Sequence, residues 1–167
     1  MRQGLVRAAV AAVAAVAAFI TAWVLWPGPV AVVAPWARQF LDVSACLLTG
    51  SGGVTPGTLG ARVWHAMQSA SLASHVMVSY LPGTGAAGVP ALLGTLVERR
   101  CGVIVVTGAS RVQVAGAAEA SPGRRFILVT GSTAAGPAVV PANTVVVPAA
   151  GASGRIVQEF TALAGTP

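Results

Sequence analysis

Lysine is absent from this 167-residue chain: all ten basic residues are arginine, and only Asp42, Glu98, Glu119 and Glu159 are acidic. Without lysine there is no Walker A loop, which needs G-K-[ST]. The few carboxylates form no pair. Asp42 opens a strand-like run and the three glutamates fall on helix-like segments, so no two are placed to share general acid–base work. His65 falls inside a helical segment beside Trp64, and His75 stands at a strand start. Neither has a nucleophile next to it, and Gly50-Ser51-Gly52 does not complete G-x-S-x-G. Cys46 and Cys101 are the only cysteines, without the CxxC or Cys/His spacing of a metal site. The expectation is a protein that is not an enzyme and holds no cofactor or metal.

Aromatic residues make up 5% of the chain and do not interleave with the arginines, which are scattered. A nucleic-acid surface needs basic residues clustered on one face with stacking or groove-reading elements. None is expected here. Abundant Ala, Gly, Val and Arg without Lys is what a very GC-rich genome tends to encode, so the net charge of +6 carries little functional weight.

The longest uncharged run is residues 8–26, AAVAAVAAVAAFITAWVLW, preceded by Arg2 and Arg7. At about 1.5 Å per helical residue it spans roughly the hydrocarbon core of a bilayer. Trp23 and Trp26 stand at its far end, where amphipathic rings favour the interface, and the basic flank places the N-terminus in the cytoplasm. A secretory peptide has a shorter apolar stretch and an A-x-A-like site; Val32-Val33-Ala34 is a poor one, because Pro35 follows. Residues 1–33 are therefore expected to be an uncleaved single-pass anchor in the plasma membrane and 34–41 a linker, with the remainder extracytoplasmic. Val43-Ser44-Ala45-Cys46 matches the site at which bacterial lipoproteins are cut, but Arg38 and Asp42 separate it from the apolar run.

About 130 residues follow the anchor, enough for one domain with its own core. Apolar runs at 42–48, 76–81, 102–106, 126–129 and 143–147 alternate with helically spaced segments at 59–73, 89–100, 111–120 and 154–164. Short β-branched runs with little alternation are buried on both faces, as in parallel sheets. Alternation with helices gives βαβ units with right-handed crossovers. The reading is α/β: one Rossmann-like lobe over 42–165, an open, doubly wound parallel sheet of about five strands in the order 2-1-3-4-5. If the C-terminal ends of the first and third strands align, Cys46 and Cys101 lie three residues out of register, some 10 Å apart by strand rise. Free buried thiols are then expected rather than a disulfide.

Ligands of such sheets bind beyond the carboxyl ends of the strands, at the switch point. Three strands end alike, in Thr49-Gly50, Thr107-Gly108 and Thr130-Gly131, and the first continues through Ser51, Gly52 and Gly53. A hydroxyl followed by glycine suits hydrogen bonding and close backbone approach to a ligand, and it is also good turn chemistry. The candidate ligand-binding residues are therefore Thr49, Gly50, Ser51, Gly52, Gly53, Thr107, Gly108, Thr130 and Gly131. A dinucleotide fingerprint fails: G-x-G-x-x-G would need glycine where Thr55 stands, and no acidic residue ends the second strand to hold a ribose.

In order and spacing these pieces resemble the N-terminal lobe of the basic membrane protein family, substrate-binding lipoproteins of ABC transporters with the type 1 periplasmic-binding fold. The matching stretches are GSGGVTPGTLGARVWHAM with Gly52-Gly53 and Trp64, then Val78-Ser79-Tyr80-Leu81, ERRCGVIVVTG, SPGRRFILVTGS, and NTVVVPAAGASGRIVQEFTALAG. Where the family carries acidic residues and a Ser-Phe-Asn triplet around its ligand, this chain has Gly50, Thr55, Pro56, Thr58-Leu59-Gly60 and Thr130. The resemblance implies the fold and an extracytoplasmic setting. It also implies a membrane-anchored substrate-binding-like lobe with a small ligand such as a nucleoside, and a transporter or a second lobe as partner. The alternative is a non-catalytic interaction module at the membrane.

Overall fold

A computed structural model describes residues 40–131 and 140–165. The expected anchor, residues 1–33, lies outside the described residues, as does the linker up to residue 39. Among the described residues no helix is long and apolar enough to cross a membrane.

The chain alternates strand and helix: β1 (Ser44–Leu48), α1 (Leu59–Ser74), β2 (Met77–Leu81), α2 (Val89–Glu98), β3 (Val103–Thr107), α3 (Arg111–Glu119), β4 (Arg125–Thr130), β5 (Thr144–Pro148) and α4 (Ala152–Ala164). Single 3-10 turns at Ala86–Gly88 and Ala149–Gly151 lead into α2 and α4. All five strands are parallel, in the order β2-β1-β3-β4-β5, as their apolar runs imply.

Strand parity divides the core into two layers. Ala45, Leu47, Val103, Val105, Ile127 and Val129 point to one face and pack on Val63 and Met67 of α1 and on Ile156 and Phe160 of α4. Cys46, Leu48, Ile104, Val106, Phe126 and Leu128 point to the other and pack on Leu93 and Leu96 of α2 and Val114 of α3. Because β1, β3 and β4 are covered on both sides, hydrophobic burial alone holds them central; each fully buried Leu, Ile or Phe is worth about 1.5–3 kcal/mol.

Local chemistry sets the boundaries. Thr58 caps α1, its Oγ1 accepting from the Ala61 N–H at 3.1 Å. Ser110 and Gln113 form a capping box on α3, and Gln113 Nε2 donates to the Ala86 carbonyl at 2.6 Å, tying α3 to the turn before α2. The Asn143 side-chain amide donates to the carbonyls of Ala118, Ser121 and Arg124, closing the turn between α3 and β4 onto the start of β5.

The cysteines depart from expectation: Cys46 and Cys101 are joined in a disulfide, with Cα atoms 5.8 Å apart. The register reasoning holds for the strands, since Cys46 lies opposite Ile104. It fails for Cys101, which is not in line with β3. Arg100 sits in the left-handed region at φ 61°, and the N–H groups of Arg100 and Cys101 donate to the carbonyls of Val97 and Leu96. This is a Schellman turn with arginine in place of the usual glycine. It folds Cys101 back into the α2-side layer, beneath Cys46. Ser79 Oγ stands 3.4 Å from Cys46 Sγ.

The closed loop has a sequence separation of 55, for which chain entropy gives about 4 kcal/mol of stabilisation. Urea titrations of the oxidised protein and of the Cys46→Ala/Cys101→Ala variant should differ by about that amount, and the oxidised protein, denatured without reductant, should titrate no free thiol.

Candidate functional site

In a 2-1-3-4-5 sheet the connection direction reverses between β1 and β3, and a crevice is expected above their carboxyl ends. The described structure shows what occupies that position. Gly50 and Gly108 meet backbone to backbone: a Cβ placed on Gly108 would stand 2.8 Å from the Gly50 Cα. Gly108 also adopts φ +73°, which L side chains rarely accept. The loop after β2 closes in from the other side, with Gly83 so tight against the Thr49 carbonyl that any side chain would collide with it. The floor of the crevice is thus a layer of three touching backbone turns.

Thr49 and Thr107 come together on this floor. They follow the paired residues Leu48 and Val106 on adjacent strands, and both face the α1 side. The Thr107 hydroxyl donates to the Leu48 carbonyl at 3.4 Å, bridging β3 to β1. The Thr49 methyl lies toward Gly60 in the first turn of α1, while its Oγ1 is buried without a hydrogen-bond partner. Thr49 is 1% exposed. A buried hydroxyl left unsatisfied costs about 1–3 kcal/mol.

Thr130 is placed differently. Strand parity puts it on the α2/α3 side, and its hydroxyl donates to the Val147 carbonyl of β5 at 3.4 Å. Gly131 follows in open space, with nothing within 4 Å of a virtual Cβ. Ser51 is exposed at the tip of the first loop, whose turn is closed by the Gly53 N–H donating to the Gly50 carbonyl at 3.0 Å. Gly52 and Gly53 belong to the same turn, and Gly53 takes φ +56°. The nine sequence-predicted residues therefore share the carboxyl rim but split into a tight β1/β3 group and a separate β4/β5 pair.

The rim is electropositive. Each helix starts there, so the positive ends of the helix dipoles point to it. None of the four helices has an acidic residue in its first turn, and Arg111 opens α3. The rim turns 49–58, 82–88 and 107–110 contain no titratable side chain. Among the described residues no group of three His, Cys, Asp or Glu could hold a metal. What the rim offers chemically is hydroxyls and backbone N–H groups in a positive field, suited to a ligand rich in hydrogen-bond acceptors.

The turn Pro82–Gly85, which holds Gly83, is among the strand-end turns that the sequence places at this rim. Gly60, whose missing side chain makes room for the Gly53 carbonyl and the Thr49 methyl, was not singled out.

No protein-family profile matches the chain, and comparison with curated proteins finds no match. Comparison with solved structures does. A fragment of a protein assigned as a lipoprotein in Peptoclostridium difficile 630 superposes with a TM-score of 0.61 at 11% identity, over 72% of this chain and 98% of that one. An ABC transporter solute-binding protein from Aeropyrum pernix K1 overlaps at TM-score 0.43 and 15% identity, over 55% of this chain and 25% of that one. A 3-dehydroquinate dehydratase-like protein from Bifidobacterium longum overlaps at 0.48 and 13%, over 73% and 95%. The first likeness is one of fold; the other two fall below the score at which shared architecture follows.

Two substitutions separate the closed part of the rim from the open part. Gly108→Ala meets both a left-handed φ and the Gly50 backbone, so it should destabilise the protein by about 1–3 kcal/mol. Gly131→Ala should stay within about 0.5 kcal/mol of the parent in the same thermal melts.

Proposed function

We propose that this chain is a membrane-anchored, extracytoplasmic substrate-binding-like lobe, related to the N-terminal lobe of the basic membrane protein family, that presents its carboxyl rim to a small, acceptor-rich ligand. The observation that carries the reading is the Thr49 hydroxyl, buried and unpartnered at the switch point beside Thr107. A ligand resting on the Gly50–Gly108 floor is the group that would satisfy it. A nucleoside is the first candidate by family resemblance. Its ring nitrogens and carbonyls are acceptors, and the rim supplies donors.

The buried Cys46–Cys101 disulfide supports the extracytoplasmic setting, because such bonds persist in oxidising compartments and are rare in the cytosol. It also fixes the chemistry of Cys46, whose sulfur is already bonded and so does not serve as a lipidation site. The absence of titratable groups from the rim turns supports binding without catalysis. A single lobe makes an open shelf, so affinity would be low unless a transporter or a second lobe closes over it.

The test is a thermal-shift screen of the full chain, in mild detergent, against nucleosides and related small metabolites. Binding to the folded state raises the melting temperature in a dose-dependent way. Thr49→Val keeps the shape and removes the hydroxyl. It should raise intrinsic stability by about 1 kcal/mol, by deleting an unsatisfied group, while abolishing the ligand shift. A Thr49→Val protein that still shifts fully with ligand would sink the assignment of the site. A parent chain that melts cooperatively and shifts with nothing would favour the interaction-module reading.

A further inference from the structure

The amino ends of the strands, opposite the rim, carry a second concave site. A cavity of about 460 Å3 opens there, within the range of small-molecule pockets. Arg100, Arg124 and Arg125 line it, with Asp42 and Glu159 as the carboxylates of the wall. Glu159 is already engaged: Arg155, outside the lining, donates to it at 2.6 Å, and Arg125 approaches it at 3.5 Å. Arg124 donates one N–H to the Arg100 carbonyl at 3.4 Å, which caps the end of α2. Arg100 is exposed, and its left-handed backbone carries the side chain off the end of α2.

The concentration of positive charge follows from topology. Arg99-Arg100 lies two residues before β3 and Arg124-Arg125 spans the start of β4, so both pairs reach the same end of the sheet. There they also meet the negative ends of the helix dipoles, which explains why cations are stable in this place. Helix capping, however, occupies only one of the donors described. Three arginines line one hollow, Arg125 beside Glu159, and Arg100 and Arg124 without a carboxylate partner among the described residues. Such a set suits a tetrahedral group with several terminal oxygens better than a planar carboxylate, which fills a single fork. Gly123 leaves the wall open beside them, Leu163 packs over Gly102, and Val43 and Leu163 give an apolar side for a short carbon skeleton.

We infer that this basal cavity binds a small molecule bearing a terminal phosphate monoester, held by Arg100, Arg124 and Arg125. The site is separate from the carboxyl rim and stands whether or not the rim binds a ligand.

Glycerol 3-phosphate is the probe, titrated calorimetrically into the full chain at low ionic strength. Saturable binding at one site per chain is expected. Arg100→Asn should weaken it by about tenfold or more, the loss of one charge-assisted contact. Asparagine tolerates the left-handed backbone at that position, so the fold is kept. Arg62→Gln removes the same charge from the first turn of α1, at the far end of the sheet, and should leave the affinity unchanged. Three results would overturn the inference: no saturable binding by the parent chain, an equal loss in Arg62→Gln and Arg100→Asn, or a response to short-chain phosphatidylglycerol, a phosphodiester, without one to glycerol 3-phosphate.

Discussion

Two-sided burial of β1, β3 and β4 is the constraint from which the rest of this structure follows. Strands with apolar side chains on both faces must be covered on both faces, and short connections then force each intervening helix to cross over before the next strand. Parallel order, the two-layer core and the position of the switch point are consequences of that one requirement. It also gives the sheet two chemically unlike ends. Every strand delivers its C-terminal residue, and every helix its first turn, to one rim; every strand start and helix end gather at the other.

The two ends have been filled in opposite ways. At the carboxyl rim the chain places glycines and threonines, small groups that let three turns touch and that leave donors but no ionisable side chain within the turns themselves. At the amino end it spends arginines. Neither pattern is required by the core, which would be equally well covered with other residues in those turns. Composition in the turns, rather than in the strands, is therefore where functional information in this lobe is concentrated.

Much of the architecture was readable from the residues alone. Runs such as VIVVT and RFILVT have almost no polar interruption, so their two-sided burial, their boundaries to within two residues and the sheet order could all be inferred. The threonine–glycine endings located the rim, but grouping them needed strand parity: Thr49 and Thr107 share a face, whereas Thr130 points the other way because β4 runs one residue longer past its partner. The cysteine pair was misread for a related reason. Counting along extended strands treats Cys101 as part of β3, and nothing in ERRCG announces that an arginine will adopt the left-handed turn that glycine normally supplies. The basal arginines were visible as two pairs, each near a strand start, yet they look scattered until the topology brings both strand starts to one place.

The bond between Cys46 and Cys101 joins the first strand to the threshold of the third, and so encircles β1, α1, β2 and α2 while leaving β4, β5 and α4 outside the loop. The two halves of the lobe are therefore held unequally. Openings that release the C-terminal half need break no covalent tie, whereas the N-terminal half stays confined to a small volume even when its packing is lost. Local opening should accordingly be graded along the chain, with β5 and α4 exchanging their amide protons at lower free energy than β1 and β3. The positions most able to move in this lobe would then lie on its late strands, and the switch-point floor would rest on its most persistent part.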